Sequence, residues 1–134
     1  MAEKIKDLLS SGNPLAFAYL GDAVFELAIR NEMIRRGHIK LHDLNCQTVR
    51  YVSADAQAKA VEFLTPILSE EEMEWIRRGR NVKSKHSARG SSIIEYRYAT
   101  ALETLMGFLY LQERQVRIQE LVQYLIQGTE TAAL

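Results

Sequence analysis

Apolar residues recur at steps of three and four positions along nearly the whole chain, and no segment shows the sustained alternation of a strand between hairpin turns. This pattern predicts an all-α protein. Two predicted helices, residues 13–36 and 93–111, are apolar around most of their circumference. Helices of this kind are normally buried. We therefore expect these two to lie in the core of a helical bundle.

Capping residues give the expected helix boundaries. Asn13 is a good N-cap and Pro14 a good first-turn residue for the first helix, and Gly37 is a suitable C-cap. Ser69 and Glu72 have the spacing of a capping box and begin a further helix. The remaining predicted helical segments are residues 40–51, 54–64 and 115–126.

Composition limits the class of protein. The chain of 134 residues is 47% hydrophobic and 25% charged, which is typical of one globular domain. We expect a single domain over residues 1–134 with a core at about 13–127, and a frayed tail at 129–134 after Gly128. Cys46 is the only cysteine, so no internal disulfide is possible. The sequence shows no signal peptide or membrane-spanning run, and a cytoplasmic location is expected.

Each of the two apolar helices carries one carboxylate at its centre, Asp22 in the first and Glu103 in the second. Gly21 and Gly107 lie nearby and would let the two helix backbones approach closely. If the helices cross there, two acids face one another and both are ionised only at a high cost. An oxygen-preferring cation such as Mg²⁺ would stabilise the pair. The alternative is that each acid is paired with an arginine or lysine, or lies on a solvated stripe.

A basic segment follows the helix that starts after Ser69. Residues 77–90 carry six lysines or arginines and no acid, and their Gly, Ser and Asn content predicts a loop. The formal net charge of the chain is zero, so this local excess of positive charge is informative. Clustered positive charge suits a phosphate backbone, although a solvated surface loop is the simpler reading.

Two other features are weaker candidates for chemistry. His42-Asp43 has the form of a metal-binding dipeptide of phosphohydrolases, but only His38 and His86 remain to complete such a site. Cys46 has no neighbour in the sequence that would activate a thiol nucleophile. A nucleotide phosphohydrolase is therefore a less favoured interpretation of the chain.

Two segments carry a resemblance to a known family. Residues 19–27, with Leu-Gly-Asp-Ala-Val at their centre, resemble the signature helix of the ribonuclease III family. Residues 101–111 are similar to its second catalytic segment, where Glu-Ala-Leu-Ile-Gly is typical. Residues 78–81 and 96–98 resemble the Mini-ribonuclease III branch, which has the catalytic domain without a double-stranded-RNA-binding domain. The resemblance covers about residues 13–127.

The resemblance implies an all-α homodimeric endonuclease domain that cleaves double-stranded RNA and leaves a 5′ phosphate. It implies Mg²⁺, for which Mn²⁺ can substitute, held by the catalytic residues Asp22 and Glu103. It favours a precursor of 23S ribosomal RNA as the substrate, and a ribosomal protein as a possible further partner. The residues expected to bind RNA are Arg78, Arg80, Lys83, Lys85 and Arg89.

The chain departs from the family at two of four active-site positions. Ala18 stands where the family has a glutamate, and Thr100 where it has an aspartate. Glu26, one turn after Asp22, is either a substitute ligand or a structural ion-pair partner. These departures leave open a second function, that of a helical dimer with weak or no activity that binds structured RNA.

Overall fold

The computed structural model describes residues 3, 6, 7, 13–82 and 92–132. Within residues 13–82 and 92–132 there is no strand, and the prediction of an all-α fold is confirmed. The helices, in chain order, are α1 (Pro14–Arg35), α2 (Leu41–Val52), α3 (Ala54–Leu64), a 3₁₀ turn (Thr65–Ile67), α4 (Glu70–Arg80), α5 (Ile93–Leu111) and α6 (Gln115–Ala132). None of the helices in this part of the chain is long and apolar enough to cross a membrane.

The caps of α1 are those that the sequence predicts. The Asn13 side chain accepts a hydrogen bond from the backbone N–H of Leu15 at 3.2 Å. At the other end Gly37 adopts a φ of +96°, a left-handed conformation that glycine takes without strain. The Gly37 and His38 N–H groups then donate to the carbonyls of Ile34 and Met33, so the last turn is closed.

Helix α5 is the centre of the bundle and packs against α1, α3 and α4. Its fully buried side chains fill the space between these helices, and each such aliphatic side chain contributes roughly 1.5–3 kcal/mol. The largest of them are Leu102, Leu105, Met106 and Leu109. Three aromatic rings join the helices, with Trp75 stacked on Phe108 at 4.6 Å and Phe17 edge-on to Trp75 at 4.8 Å.

Helix α4 extends further than expected. The prediction that the loop begins at Arg77 is wrong, because residues 77–80 complete the last turn of the helix. Gly79 explains the difference. A Cβ atom at this position would lie 2.6 Å from Thr104 Oγ1 and 2.8 Å from the Ala101 Cα, so the glycine permits close packing of α4 on α5.

Helix α6 also continues beyond its expected end, through Gly128 to Ala132. The predicted end of this helix at residue 126 is therefore too early, while the expected fraying of residues 129–134 stays a prediction and residues 133–134 lie outside the described part of the chain. Gly128 makes room for Phe63, whose ring would lie 2.0 Å from an added Cβ. An ion pair of 2.6 Å between Arg36 and Glu130 holds this last turn against the end of α1.

Candidate active site

Helices α1 and α5 cross with their backbones in contact. A Cβ atom at Gly21 would lie 1.6 Å from the backbone oxygen of Glu103, and one at Gly107 would lie 2.0 Å from the backbone oxygen of Phe17. Neither position has space for any side chain. The two glycines therefore fix how closely the helices approach, and they place the residue after Gly21 beside Glu103.

The structure brings the carboxyl groups of Asp22 and Glu103 within hydrogen-bonding distance of each other. Asp22 is exposed and Glu103 is half-buried. Burial, followed by the hydrogen bond to Asp22 and the charge of Asp22, raises the pKa of Glu103 to about 8. The pair consequently retains a proton at neutral pH unless a cation takes the place of that proton.

An ordinary ion pair does not account for these acids. Among residues 13–82 and 92–132, no lysine or arginine is ion-paired with Asp22 or Glu103. The acid one turn further along α1 is different, because Glu26 lies 3.2 Å from Arg30. The structure thus gives Glu26 a structural partner and leaves Asp22 and Glu103 facing only each other in this part of the chain.

The two positions that depart from the ribonuclease III pattern lie one turn before each acid. Ala18 and Thr100 are both 8% exposed. The Thr100 hydroxyl donates to the backbone oxygen of Tyr96 at 2.9 Å. In the described residues no group of three or more His, Cys, Asp or Glu side chains surrounds a common point. The site is therefore a two-carboxylate site within that part of the protein.

The face of α1 that carries Asp22 also presents apolar side chains to solvent, and sequence patterning did not distinguish them from the core. Leu15, Tyr19, Ala23 and Leu27 follow one another at four-residue steps and all are exposed. Tyr19 is 87% exposed, which is far more than a tyrosine in the core of a helical bundle would be. One feature of the sequence indicates this exposure. Helix α1 is apolar around most of its circumference, and a helix that packs on one side cannot bury all of that surface.

The predicted RNA-binding residues are placed only in part. The Arg78 guanidinium lies over the Trp75 ring, 4.8 Å from its centroid, and Arg80 Nε donates to Asn81 Oδ1 at 3.3 Å. Both arginines lie in the last turn of α4. The other three residues of the set, Lys83, Lys85 and Arg89, lie outside the described residues.

The expectation that the positive charges of this segment are uncompensated is wrong for two of them. Glu74, one turn earlier on α4, forms ion pairs with both Arg77 and Arg78. The hydrogen bond from Arg77 is the largest effect on the pKa of Glu74 and lowers it. Burial raises this pKa by less, and the hydrogen bond from Arg78 lowers it further, so the pKa of Glu74 lies below its usual value. Glu74 lies three and four residues before these arginines, a spacing that forms ion pairs on a helix. Because a loop was predicted from Arg77, this helical spacing did not enter the prediction.

The structure places a histidine beside Cys46, so the expectation that no neighbour could activate this thiol is wrong. His42 Nε2 lies 3.6 Å from Cys46 Sγ on the exposed side of α2. These two side chains do not belong to a cluster of three or more potential metal ligands among the described residues. The metal site of a nucleotide phosphohydrolase is thus not found in the described parts of the chain.

Comparison with known proteins gives matches to one family over most of the chain. Residues 15–114 match the Ribonuclease III domain. A Mini-ribonuclease 3 of Brevibacillus brevis is 48% identical over 111 residues, covering 83% of each chain. A Mini-ribonuclease 3 of Thermoanaerobacter is 39% identical over 125 residues, which are 93% of this chain and 88% of the relative.

A solved structure shares the fold of this chain. The crystal structure of a Fusobacterium nucleatum protein superposes with a TM-score of 0.75 at 31% sequence identity. The superposition covers 87% of this chain and 93% of that one. The domain match, the curated relatives and the shared fold together show that this chain belongs to the ribonuclease III family of endoribonucleases.

Proposed function

We propose that this endoribonuclease hydrolyses double-stranded RNA with Mg²⁺ held between Asp22 and Glu103. The observation that carries the proposal is the contact between these two carboxyl groups at the crossing of α1 and α5, with no cationic side chain of the described residues between them. Glycines at the crossing point hold the pair in a fixed geometry. Such a pair is costly to ionise alone and is stabilised by a bound cation.

The donor atoms suit this ion. Mg²⁺ prefers oxygen ligands and is usually bound through one or two carboxylates while it keeps several waters. Asp22 is exposed and Glu103 is half-buried, so one side of the pair is open to an RNA strand. When bound, the ion would supply an activated water and stabilise the negative charge that develops on the scissile phosphate.

Homodimerisation is part of the proposal. The exposed face of α1 that contains Leu15, Tyr19, Ala23 and Leu27 also contains Asp22. Apolar side chains grouped in this way are typical of a surface that another protein covers. A second copy related by a two-fold axis would bury this face and place two carboxylate pairs along one surface. Each subunit would then cut one strand of a duplex.

Arginines of α4 would hold the RNA backbone. A-form RNA is recognised mainly through its shape and its phosphates. Arg78 and Arg80 end a helix that packs directly on α5, the helix of Glu103. Lys83, Lys85 and Arg89 extend this basic set along the chain. We propose a precursor of 23S ribosomal RNA in the bacterial cytoplasm as the substrate, and a ribosomal protein as a candidate partner, because the family resemblance favours them.

A second candidate function is supported by the non-acidic residues Ala18 and Thr100. Both are buried and lie one turn before the acids on their helices, so no further acid is available at these places. Fewer ligands weaken metal binding. A protein with such a site could bind structured RNA as a helical dimer and cut it slowly or not at all.

A cleavage assay separates the two functions. A long RNA duplex incubated with the protein should be cut with Mg²⁺ and remain intact with a chelator. Asp22→Asn and Glu103→Gln should each lower the rate by at least about a hundredfold, a loss within the range seen for charge-stabilising groups. Glu26→Gln, which removes an acid from the next turn of α1, should retain activity. Absence of cutting with Mg²⁺ would reject the catalytic proposal in favour of the binding function. Full activity of Asp22→Asn would reject the assignment of the catalytic site to Asp22.

A further inference from the structure

The carboxylate of Glu74 on α4 forms ion pairs with two arginines of the same helix. The guanidinium of Arg77 donates from Nη2 to Glu74 Oε1 at 2.6 Å and from Nε to Oε2 at 3.1 Å. Arg78 Nε donates to Oε1 of the same residue at 3.2 Å. Glu74 therefore neutralises part of the positive charge at the end of the helix, and it does so for two arginines at once.

These ion pairs lie at the surface, where other anions can reach them. The side chains of Arg77 and Arg78 are 59% and 43% exposed, and that of Glu74 is 37% exposed. Contact with the Trp75 ring keeps the Arg78 guanidinium from turning away from this surface. A phosphate that approaches the end of α4 therefore meets two arginines that each already donate to the Glu74 carboxylate with part of their guanidinium.

We propose that Glu74 competes with RNA phosphates for Arg77 and Arg78 and thereby limits the affinity of the protein for RNA. The inference rests on the proposed role of the α4 end in binding RNA, and it adds Arg77 to the residues concerned. An exposed Glu–Arg pair is weak, so a phosphate can displace the carboxylate at a modest cost. The displaced carboxylate still repels the phosphate, and this repulsion reduces binding to any RNA backbone.

The test is binding of a 30-base-pair RNA duplex, followed by fluorescence anisotropy in a chelator so that the duplex is not cut. Glu74→Gln should bind about threefold to tenfold more tightly than the unmodified protein at low salt. For this variant, the slope of log K against the logarithm of salt concentration should be steeper than for the unmodified protein, by up to about 0.9 for each newly contacted phosphate. Combined with Arg77→Ala and Arg78→Ala, the glutamine substitution should have a smaller effect, because no cation is freed and only the repulsion between the carboxylate and the phosphates is removed.

Glu120→Gln is the matched control. It removes the same charge from another exposed glutamate that is paired with an arginine, since Glu120 lies 3.2 Å from Arg117. Arg117 remains bound to Glu72 in this variant. We expect a much smaller change in affinity and an unchanged salt slope.

The outcomes distinguish this inference from the proposed function. If Glu74→Gln leaves affinity and slope unchanged while Arg78→Ala weakens binding, the competition is refuted and RNA binding by α4 stands. If Glu120→Gln has the same effect as Glu74→Gln, only the net charge matters and the inference is also refuted. Cleavage by the unmodified protein with Mg²⁺ tests the nuclease proposal separately, whatever the anisotropy shows.

Discussion

Replacing Glu103 with glutamine should stabilise the protein in the absence of metal while it destroys the proposed site. In the folded chain the pKa of Glu103 rises from 4.5 to about 8, first because of burial and then because of Asp22. Between pH 4.5 and 8 the folded protein therefore holds a proton that the unfolded chain has lost. By linkage, the free energy of unfolding falls as the pH rises through this window, and the full penalty is present above pH 8.

The size of the penalty follows from the pKa change. A rise from 4.5 to about 8 corresponds to at most about 5 kcal/mol, since one pH unit is worth about 1.4 kcal/mol. Glu103 is half-buried, so solvent reduces this figure, and we expect a gain of about 2–4 kcal/mol for Glu103→Gln at pH 9. The glutamine amide can also donate a hydrogen bond to the Asp22 carboxylate, so the contact between the helices is kept.

Urea unfolding in a chelator at pH 5, 7 and 9 measures this effect. The advantage of Glu103→Gln should grow with pH up to about 8 and then stay constant. Glu26→Gln serves as the control, because its exposed pair with Arg30 is worth only about 0–1 kcal/mol and should show no comparable trend. A Glu103→Gln variant that is no more stable at pH 9 than the unmodified protein would refute the account of a strained carboxylate pair. Saturating Mg²⁺ should reverse the order, since only the intact pair gains from the ion.

Three further predictions follow from other contacts. Gly21→Ala should lower the free energy of unfolding by more than about 3 kcal/mol in a urea titration, because its Cβ would lie 1.6 Å from the Glu103 backbone oxygen; a loss below about 1 kcal/mol would show that the helices can move apart. The pKa of Glu72 is raised by burial but lowered more by Arg117 and Ser69, with a net decrease, so stability should fall as the pH drops below 4.5. Acid titration of the Glu72→Gln variant should show a smaller loss of stability than that of the unmodified protein, and identical profiles for the two proteins would contradict this prediction. Tyr19→Asp should shift the mass in light scattering from dimer to monomer at micromolar concentration, and a monomeric unmodified protein would contradict the dimer.

The helical elements follow from local chemistry in the sequence. Asn13, Ser69 and Gly37 form the caps that their residue types predict, because a cap depends on a few neighbouring residues. The closeness of Asp22 and Glu103 was also predictable in outline. Each is the lone acid of an apolar helix with a glycine nearby, and such helices pack against each other through the glycines.

The predictions that were wrong concern features that depend on contacts between segments distant in the sequence. Gly79 and Gly128 were interpreted as loop or cap residues, but each makes room for a neighbouring helix or ring. Single-residue propensity cannot distinguish a glycine that ends a helix from one that lets another element approach. The ion pairs of Glu74 were missed for a related reason, since the helical spacing counts only when the helix is known to continue.

The measurement that tests the central claim most directly is anomalous diffraction from crystals soaked in Mn²⁺, a scatterer that substitutes for Mg²⁺. We predict one strong peak per subunit within about 2.5 Å of carboxylate oxygens of both Asp22 and Glu103, and loss of this peak in Glu103→Gln crystals. No peak at this pair, or a peak that contacts neither residue, would contradict the account of a divalent metal site at the crossing of α1 and α5.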